Sequence, residues 1–193
     1  MGLDRDRAQQ AVIELLAALG EDPTRAGLAD TPRLVTDALT ELVAGVGVDP
    51  AELITALEPA GDSVEPVVLT NIEVRSLCEH HLMPFIGIAH VAYVPGEHLT
   101  TLGSITRTVD TLAAKPQIQE RLGEEIADAL GDTLAARGVL VILDMAHHCM
   151  TSRGSRQVNS RTLTIASRGV LTDVAARTEI MSLIAASEVA ARG

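Results

Sequence analysis

Residues 64–95 read VEPVVLTNIEVRSLCEHHLMPFIGIAHVAYVP, and this stretch predicts the centre of the fold. Residues 64–75 and 85–95 are rich in Val, Ile and Leu, and the second run alternates between two faces, as strands do. The members of one face are Ile86, Ile88, His90, Ala92 and Val94. We expect the two runs to pair antiparallel around a loop at residues 78–84.

Helical spacing of apolar residues predicts five helices, two before these strands and three after them. Gly20 marks the end of the first helix, and Thr31-Pro32 has the form of an N-cap followed by proline at the first helical position. Gly138 is expected to end the fourth helix, which carries a long apolar stripe. The predicted helices are residues 4–19, 32–46, 104–114, 117–137 and 173–191. The stripe consists of Ile118, Leu122, Ile126, Leu130 and Leu134.

Two further strands are predicted in the second half of the chain. Residues 139–145 form a continuous apolar run, which suits a strand buried on both faces, and residues 161–168 alternate polar with apolar side chains. The order of elements from residue 64 predicts an α+β domain. A break at Gly61 divides a helical N-terminal extension, residues 1–60, from a larger domain, residues 61–193.

Composition limits the kinds of partner. The chain has 193 residues, is 47% hydrophobic and carries a formal net charge of -11. The negative charge argues against nucleic acid, because a phosphate backbone demands a basic surface. No apolar run is long enough to span a membrane, and the start MGLDRDRAQQ lacks an apolar signal segment. We therefore expect a cytoplasmic protein that binds neither nucleic acid nor membrane.

Both cysteines lie beside histidines, in Cys78-Glu79-His80-His81 and in His147-His148-Cys149. Thiolate and imidazole together are a typical zinc ligand set, and three ligands from these segments would leave a fourth position open for catalysis. A disulfide is disfavoured in a reducing cytosol. Inert buried cysteines are the alternative for either residue alone, and a structural zinc finger lacks a clear fourth ligand.

The motifs resemble those of the GTP cyclohydrolase I family, in matching order through nearly the whole chain. The matching stretches are Gly20-Glu21-Asp22-Pro23, Asp30-Thr31-Pro32, residues 76–85 with Gly87, residues 116–122, His147, Cys149-Met150, Arg153-Gly154, Ser160-Arg161-Thr162 and Gly169. The resemblance implies the tunnelling fold, in which ββααββ units with a helical N-terminal extension assemble into a ring-shaped homo-oligomer, usually a decamer. It also implies a guanine-type small-molecule substrate.

The resemblance implies a zinc enzyme with a defined set of ligands and acid-base groups. Cys78, His81 and Cys149 would hold Zn²⁺, which would activate a water for attack on C8 of the purine. His147 and His80 would be the catalytic histidines, because the attack requires a proton at N7 and histidine titrates in the right range.

Substrate contacts are implied in the same way. Glu120 would read guanine, because one carboxylate can accept hydrogen bonds from both N1–H and the 2-amino group. A solvated acid in the first turn of a helix is the alternative explanation for Glu120. Gln119 would be a second contact, and Arg107 and Arg153 would bind phosphate with their guanidinium forks.

The chain departs from the family pattern at two places. The family commonly has Gly-Leu-Ser-Lys where this chain has residues 101–104, Thr-Leu-Gly-Ser, so Gly103 and Ser104 replace a hydroxyl and a cation. It commonly has Arg-Val-Ala-Lys where this chain has residues 34–37, so Leu34 and Asp37 replace two cations. Each charge-assisted phosphate contact is worth roughly 1.5–3 kcal/mol, so triphosphate binding should weaken unless Arg33, Arg156 or Arg161 compensates.

Four functions follow for comparison. The first is a zinc-dependent cyclohydrolase that converts GTP to 7,8-dihydroneopterin triphosphate with release of formate. The second is a paralogous cyclohydrolase that acts on a less phosphorylated guanine compound and stops at the ring-opened pyrimidine. Outside this class stand a non-catalytic purine- or pterin-binding regulator, and the nitrile reductase of the same fold, which lacks the cysteine and histidine set found here.

Overall fold

The computed structural model describes residues 2–55, 57–62 and 65–191, with side chains described to residue 187. Contacts between α-carbons divide the chain into two compact units, Met1–Ala44 and Gly45–Gly193. The assignment of an extension to residues 1–60 and of a catalytic domain to residues 61–193 stays a prediction. None of the described helices is both long and apolar enough to cross a membrane.

The described part of the first unit contains two α-helices, α1 (Arg5–Ala18) and α2 (Thr31–Leu42), with a short 3-10 helix between them (Ala26–Leu28). Asp4 caps α1, because its carboxylate accepts a hydrogen bond from the backbone N–H of Arg7. Pro32 occupies the first turn of α2, where its missing N–H costs nothing. The predicted starts of both helices are thus confirmed to within one residue, whereas α2 ends four residues before the predicted residue 46.

The second unit combines strands and helices, which confirms the α+β class. Its elements in chain order are β1 (Glu58–Pro59), β2 (Val67–Cys78), β3 (Pro84–Val94), β4 (His98–Leu99), α3 (Leu102–Ala113), β5 (Pro116–Gln117), α4 (Gln119–Leu134), β6 (Gly138–His147), α5 (His148–Thr151), β7 (Thr162–Gly169) and α6 (Val174–Ala191). The predicted strand start at Val64 lies outside the described residues.

The main sheet has the strand order β5-β2-β3-β6-β7. β2 and β3 pair antiparallel, as predicted, and Leu77 lies opposite Pro84 at the end that carries the loop. β3 pairs antiparallel with β6, and β6 with β7. Because β3 is antiparallel to both β2 and β6, those two strands run in the same direction. Their carboxyl ends therefore lie at the same end of the sheet, on either side of β3.

β6 is buried on both faces, as its apolar run predicts. Val141 and Leu143 belong to one hydrophobic cluster, whereas Leu140 and Ile142 belong to another that includes Ile180 of α6. The first cluster receives the stripe of α4, in which Leu122, Ile126, Leu130 and Leu134 are fully buried. A single strand therefore anchors helices on both sides of the sheet.

The ends of α4 differ from the prediction. Gln117 is not helical but forms the short parallel strand β5 beside Cys78, and Ile118 is the N-cap residue of a helix that begins at Gln119. At the other end α4 stops at Leu134, because Ala135 adopts a left-handed conformation with φ of 45°. Gly138 begins β6 rather than ending the helix.

Candidate metal and catalytic site

A tight turn after β2 presents the first group of predicted site residues. The backbone N–H of Leu82 donates to the carbonyl of Cys78 at 2.8 Å, and the N–H of Cys78 donates to the carbonyl of Met83 at 2.8 Å. Leu82 has a left-handed backbone with φ of 49°, which closes the turn. His80 and His81 lie inside this closed turn and are exposed.

Neighbouring elements fix the turn to the body of the unit. The N–H of Glu79 donates to the carbonyl of Gln117 at 3.0 Å, and the Glu79 carboxylate pairs with Arg121 of α4 at 2.5 Å. The Arg121 Nε also donates to the Gln117 side-chain oxygen at 2.8 Å. The backbone around Cys78 is thereby tied to both β5 and α4.

The second group of site residues follows β6. His147 ends the strand, and Cys149 lies in the four-residue helix α5. Phe85 at the start of β3 is the Cα partner of His147. The strand that follows the first turn therefore pairs with β6 next to the second group.

Cys78, His81 and Cys149 form a group with the composition of a metal site. Their ligand atoms all lie within 4.8 Å of one another, and the Cys78 Sγ is 3.9 Å from the His81 Nδ1. A tetrahedral zinc ion with ordinary Zn–S and Zn–N bonds separates its ligand atoms by roughly 3.5–3.8 Å. The donor set and its spacing fit zinc, as the resemblance implies, with a small inward movement of the side chains.

The surroundings of Cys149 within the chain disfavour its thiolate form. Burial raises the pKa of the Cys149 thiol, and the neighbouring Cys78 raises it further, while the charge of Arg153 acts in the opposite direction. A bound divalent cation reverses this balance, because it stabilises both thiolates. The His80 Nδ1 lies 3.8 Å from the Cys78 Sγ, so the predicted catalytic histidine is next to the metal group.

His147 is held on its face and on its edge. Its ring stacks on the ring of Phe85 with the centroids 4.8 Å apart and an interplanar angle of 1°. Its Nε2 is 2.8 Å from the side-chain oxygen of Gln119. Burial lowers the pKa of His147, and the negative charge of Glu120 opposes this shift.

Gln119 is 1% exposed at the start of α4. Its side-chain nitrogen lies 3.0 Å from the carbonyl of Leu143, 2.9 Å from that of Thr162 and 3.0 Å from the hydroxyl of Thr164. Both ends of the amide are thus engaged within the chain. Its contact with guanine stays a prediction.

Glu120 opens onto a cavity of about 220 Å³ between α4 and β7. The lining residues are Glu120, Gly123, Glu124, Thr164, Ile165 and Ala166. The charge of Glu120 acts on His147, and the charge of Arg153 acts on Cys149, so these two of the four predicted substrate residues belong to the surroundings of the two catalytic segments. Arg107 is exposed on α3, and nothing within the chain connects it to this group in the part that the structure describes.

The structure gives the burial and the partners of residues at the places where the chain departs from the family pattern. Ser104 is fully buried, and its hydroxyl donates to the carbonyl of Thr55 at 3.1 Å. A Cβ built on Gly103 meets no atom within 4 Å. Asp37 pairs with Arg33 at 3.2 Å, and Asp144 pairs with Arg161 at 2.7 Å. Two of the three arginines that could compensate for lost cations are therefore already paired with acids.

The sequence carries no local signal for the contacts of His147 with Phe85 and Gln119. Phe85 is one of only two aromatic residues, and Gln119 begins a helix next to Glu120. Neither feature indicates a partner, since the Phe85 contact depends on the register between β3 and β6, and the Gln119 contact depends on how the start of α4 packs against the end of β6.

The chain is similar to known proteins over nearly its whole length. The family model described as GTP cyclohydrolase I matches residues 8–185. A protein named GTP cyclohydrolase 1 from Leifsonia xyli subsp. xyli is 53% identical over 184 residues, covering 95% of this chain and 96% of its own length. Proteins with the same name from Streptomyces coelicolor and Halalkalibacterium halodurans are 48% and 44% identical, and cover 95% and 94% of this chain and 92% and 97% of their own.

Proposed function

The chain belongs to the GTP cyclohydrolase I family, and on this premise we propose that it is a zinc-dependent cyclohydrolase that opens the imidazole ring of GTP. The reaction would add water at C8, release formate and give 7,8-dihydroneopterin triphosphate. The observation that carries the proposal is the group formed by Cys78, His81 and Cys149, with His80 in contact with Cys78. His147 precedes Cys149 by two residues and senses the charge of Glu120.

Each residue of the group would have one task. Cys78, His81 and Cys149 would hold the zinc ion, which supplies water activation near neutral pH when bound. His147 and His80 would move protons to and from the purine, with His147 serving N7. His147 suits this task because its ring is already fixed by Phe85 and Gln119.

Substrate recognition would use charges on three segments. Glu120 would accept hydrogen bonds from N1–H and the 2-amino group of guanine, within the cavity between α4 and β7. Arg153 and Arg107 would contact the phosphates. Because no contact among the described residues connects Arg107 to the metal group, a neighbouring copy in a ring-shaped homo-oligomer, a decamer of tunnelling-fold subunits, would supply it. A cytoplasmic location completes this proposal.

The test is to incubate zinc-loaded protein separately with GTP, GMP, guanosine and guanine, and to follow formate and the products by mass spectrometry. We expect formate and dihydroneopterin triphosphate from GTP. Removal of zinc with a chelator should abolish both, and added zinc should restore them. A zinc-loaded protein that releases no formate from any of the four compounds would contradict the proposal and favour a binding role.

A second candidate is a paralogous cyclohydrolase that prefers a less phosphorylated guanine compound. The favouring observations are the buried Ser104 at the position of an expected cation and the pairing of Arg33 and Arg161 with acids. In the same experiment this candidate predicts faster formate release from GMP or guanosine than from GTP. Faster release from GTP would argue against it.

The missing hydroxyl at position 103 can be tested separately. Gly103→Ser adds a hydroxyl where a Cβ has open space, and Gly103→Ala is the matched control that adds the same Cβ alone. If the natural protein stops at the ring-opened pyrimidine for want of this hydroxyl, Gly103→Ser should increase the closed pterin product and Gly103→Ala should not. Equal product ratios in all three proteins would exclude this cause.

A further inference from the structure

The hydrogen bonds of Gln119 determine where His147 carries its proton. An amide has a donor end and an acceptor end, and the two ends must match their surroundings. The nitrogen of Gln119 is within 3.0 Å of two backbone carbonyls, those of Leu143 and Thr162, which can only accept. If the amide were turned round, its oxygen would face these two carbonyls, and no hydrogen could lie between them.

The orientation of the amide then fixes the imidazole. With its nitrogen committed to the carbonyls of β6 and β7, Gln119 presents its oxygen to the Nε2 of His147 at 2.8 Å. A carbonyl oxygen only accepts, so Nε2 must carry a hydrogen. In the neutral ring the other nitrogen, Nδ1, is then the one without a proton.

Phe85 removes the remaining freedom of the ring. The plane of the Phe85 ring is parallel to that of His147, and the ring centroids are 4.8 Å apart. Phe85 itself is fully buried. A half-turn of the ring about its Cβ–Cγ bond would put Cε1 in the place of Nε2 and lose the Gln119 bond, and the ring would have to leave this stack during the turn. Both restraints come from elements of the sheet and of α4, so they exist before any substrate binds.

We propose that Gln119 is a positioning residue, which holds His147 as the Nε2–H tautomer and so leaves Nδ1 as the nitrogen that exchanges a proton with the substrate. This rests on the proposed function for the role of His147 as acid and base, whereas the tautomer itself rests on the hydrogen bonds alone. Gln119 would then act on the reaction through His147 and would not read guanine with its side chain.

The tautomer can be measured without any reaction. Zinc-loaded protein labelled with ¹⁵N-histidine is studied by solid-state NMR at about pH 8, above the ordinary histidine pKa, where the two ring nitrogens of a neutral imidazole give distinct signals. The signals of His147 are assigned by their absence in His147→Ala. We expect a protonated Nε2 and an unprotonated Nδ1, and a proton on Nδ1 instead would overturn the proposal.

Gln119→Met tests the consequence for activity, because methionine fills a similar volume without a hydrogen-bonding amide. We expect both tautomers of His147 to appear and kcat to fall by about a hundredfold, while the KM for GTP changes by less than about threefold. A variant with unchanged kcat and tautomer but a raised KM would show a substrate contact and would overturn the proposal.

Gln117→Met is the matched control for loss of a buried amide. Gln117 is fully buried two residues away, and its side chain bonds to Leu112, Arg121 and Glu125 rather than to a histidine. The tautomer of His147 should stay unchanged in this variant, and a change equal to that in Gln119→Met would overturn the proposal. If the natural protein releases no formate, the proposed function fails, and the NMR result still decides the hydrogen-bond assignment.

Discussion

The rings of Phe85 and His147 are stacked in parallel, and the two residues are Cα partners across β3 and β6. Phe85→Leu keeps an apolar side chain but removes the flat surface that orients the imidazole. We expect the free energy of unfolding to fall by about 1–2 kcal/mol, because part of the ring volume is left empty. We also expect kcat for formate release to fall about tenfold, measured with zinc-loaded protein.

Tyr93→Leu separates the two effects. Tyr93 is the other aromatic residue, is 1% exposed and lies toward the opposite end of β3. Its replacement should lower the stability by a similar amount and leave kcat near that of the natural protein. Equal losses of kcat in both variants would show that general loosening, and not the stack, explains the effect.

Loss of a predicted zinc ligand should remove both metal and activity. We expect Cys149→Ser to bind zinc more than about a hundredfold more weakly, since even residues behind the ligands contribute 10–100-fold. Zinc per chain is measured by elemental analysis after dialysis. His148→Ala is the neighbouring control, because His148 does not belong to the metal group, and one zinc per chain should remain. Full zinc in Cys149→Ser would refute the ligand assignment.

Glu120→Gln should impair recognition of the base. The amide replaces one acceptor oxygen with a donor, so at least one charge-assisted hydrogen bond to guanine is lost. At roughly 1.5–3 kcal/mol for such a bond, kcat/KM for GTP should fall by about 10–100-fold. Inosine triphosphate, which lacks the 2-amino group, should lose less. Asp132→Asn changes an exposed acid farther along α4 and should leave kcat/KM unaltered.

Gly87→Ala tests the close contact between β3 and β6 near the metal group. A Cβ at Gly87 would lie 2.0 Å from the carbonyl oxygen of Asp144 and 2.8 Å from the Cα of Met145. The strands must separate to admit it, at a cost of about 1–3 kcal/mol, and zinc affinity should fall because Cys149 follows β6. Thermal unfolding and zinc content measure the two effects.

Gly131→Ala should change the stability in the opposite direction. Gly131 lies inside α4, and the nearest atom to a Cβ there is 3.9 Å away on Val139. Alanine should therefore raise the stability by about 0.5–1 kcal/mol through helix propensity, without altering zinc binding. A loss of stability in Gly131→Ala comparable to that in Gly87→Ala would show that steric reasoning fails for this unit.

The regular elements could be predicted because each repeats one local pattern. Leu122 and Leu130 lie on the same apolar stripe of α4, so their burial follows from helical periodicity. The run around Val141 is apolar on both faces, which is typical of a fully buried strand. The end of α4 could not be predicted, since Ala135 takes a left-handed conformation that alanine seldom adopts. The role of Gln117 was missed because two residues of parallel pairing leave no periodic signal.

Residue types predicted a metal site within the two cysteine- and histidine-containing segments, because thiolate and imidazole together are a typical zinc ligand set, whereas the choice of Cys78, His81 and Cys149 came from the family resemblance. The pairing of Gln119 with His147 could not be predicted, since it requires α4, β6 and β7 to be in register. The same holds for the pairing of Arg161 with Asp144, which changes an available cation into a neutralised one. Long-range side-chain partners depend on packing that local patterns do not contain.

One cysteine lies on β2 and the other follows β6, and β3 separates these two strands in the sheet. This placement affects when the metal group can form during synthesis on the ribosome. Cys78 and His81 emerge first, and Cys149 appears only after β3, α3, α4 and β6 have been synthesised. A nascent chain therefore lacks one ligand until most of the sheet can form. Metal capture would be a late event, because a chain that ends before Cys149 has two of the three predicted ligands and should hold zinc more weakly than the complete group.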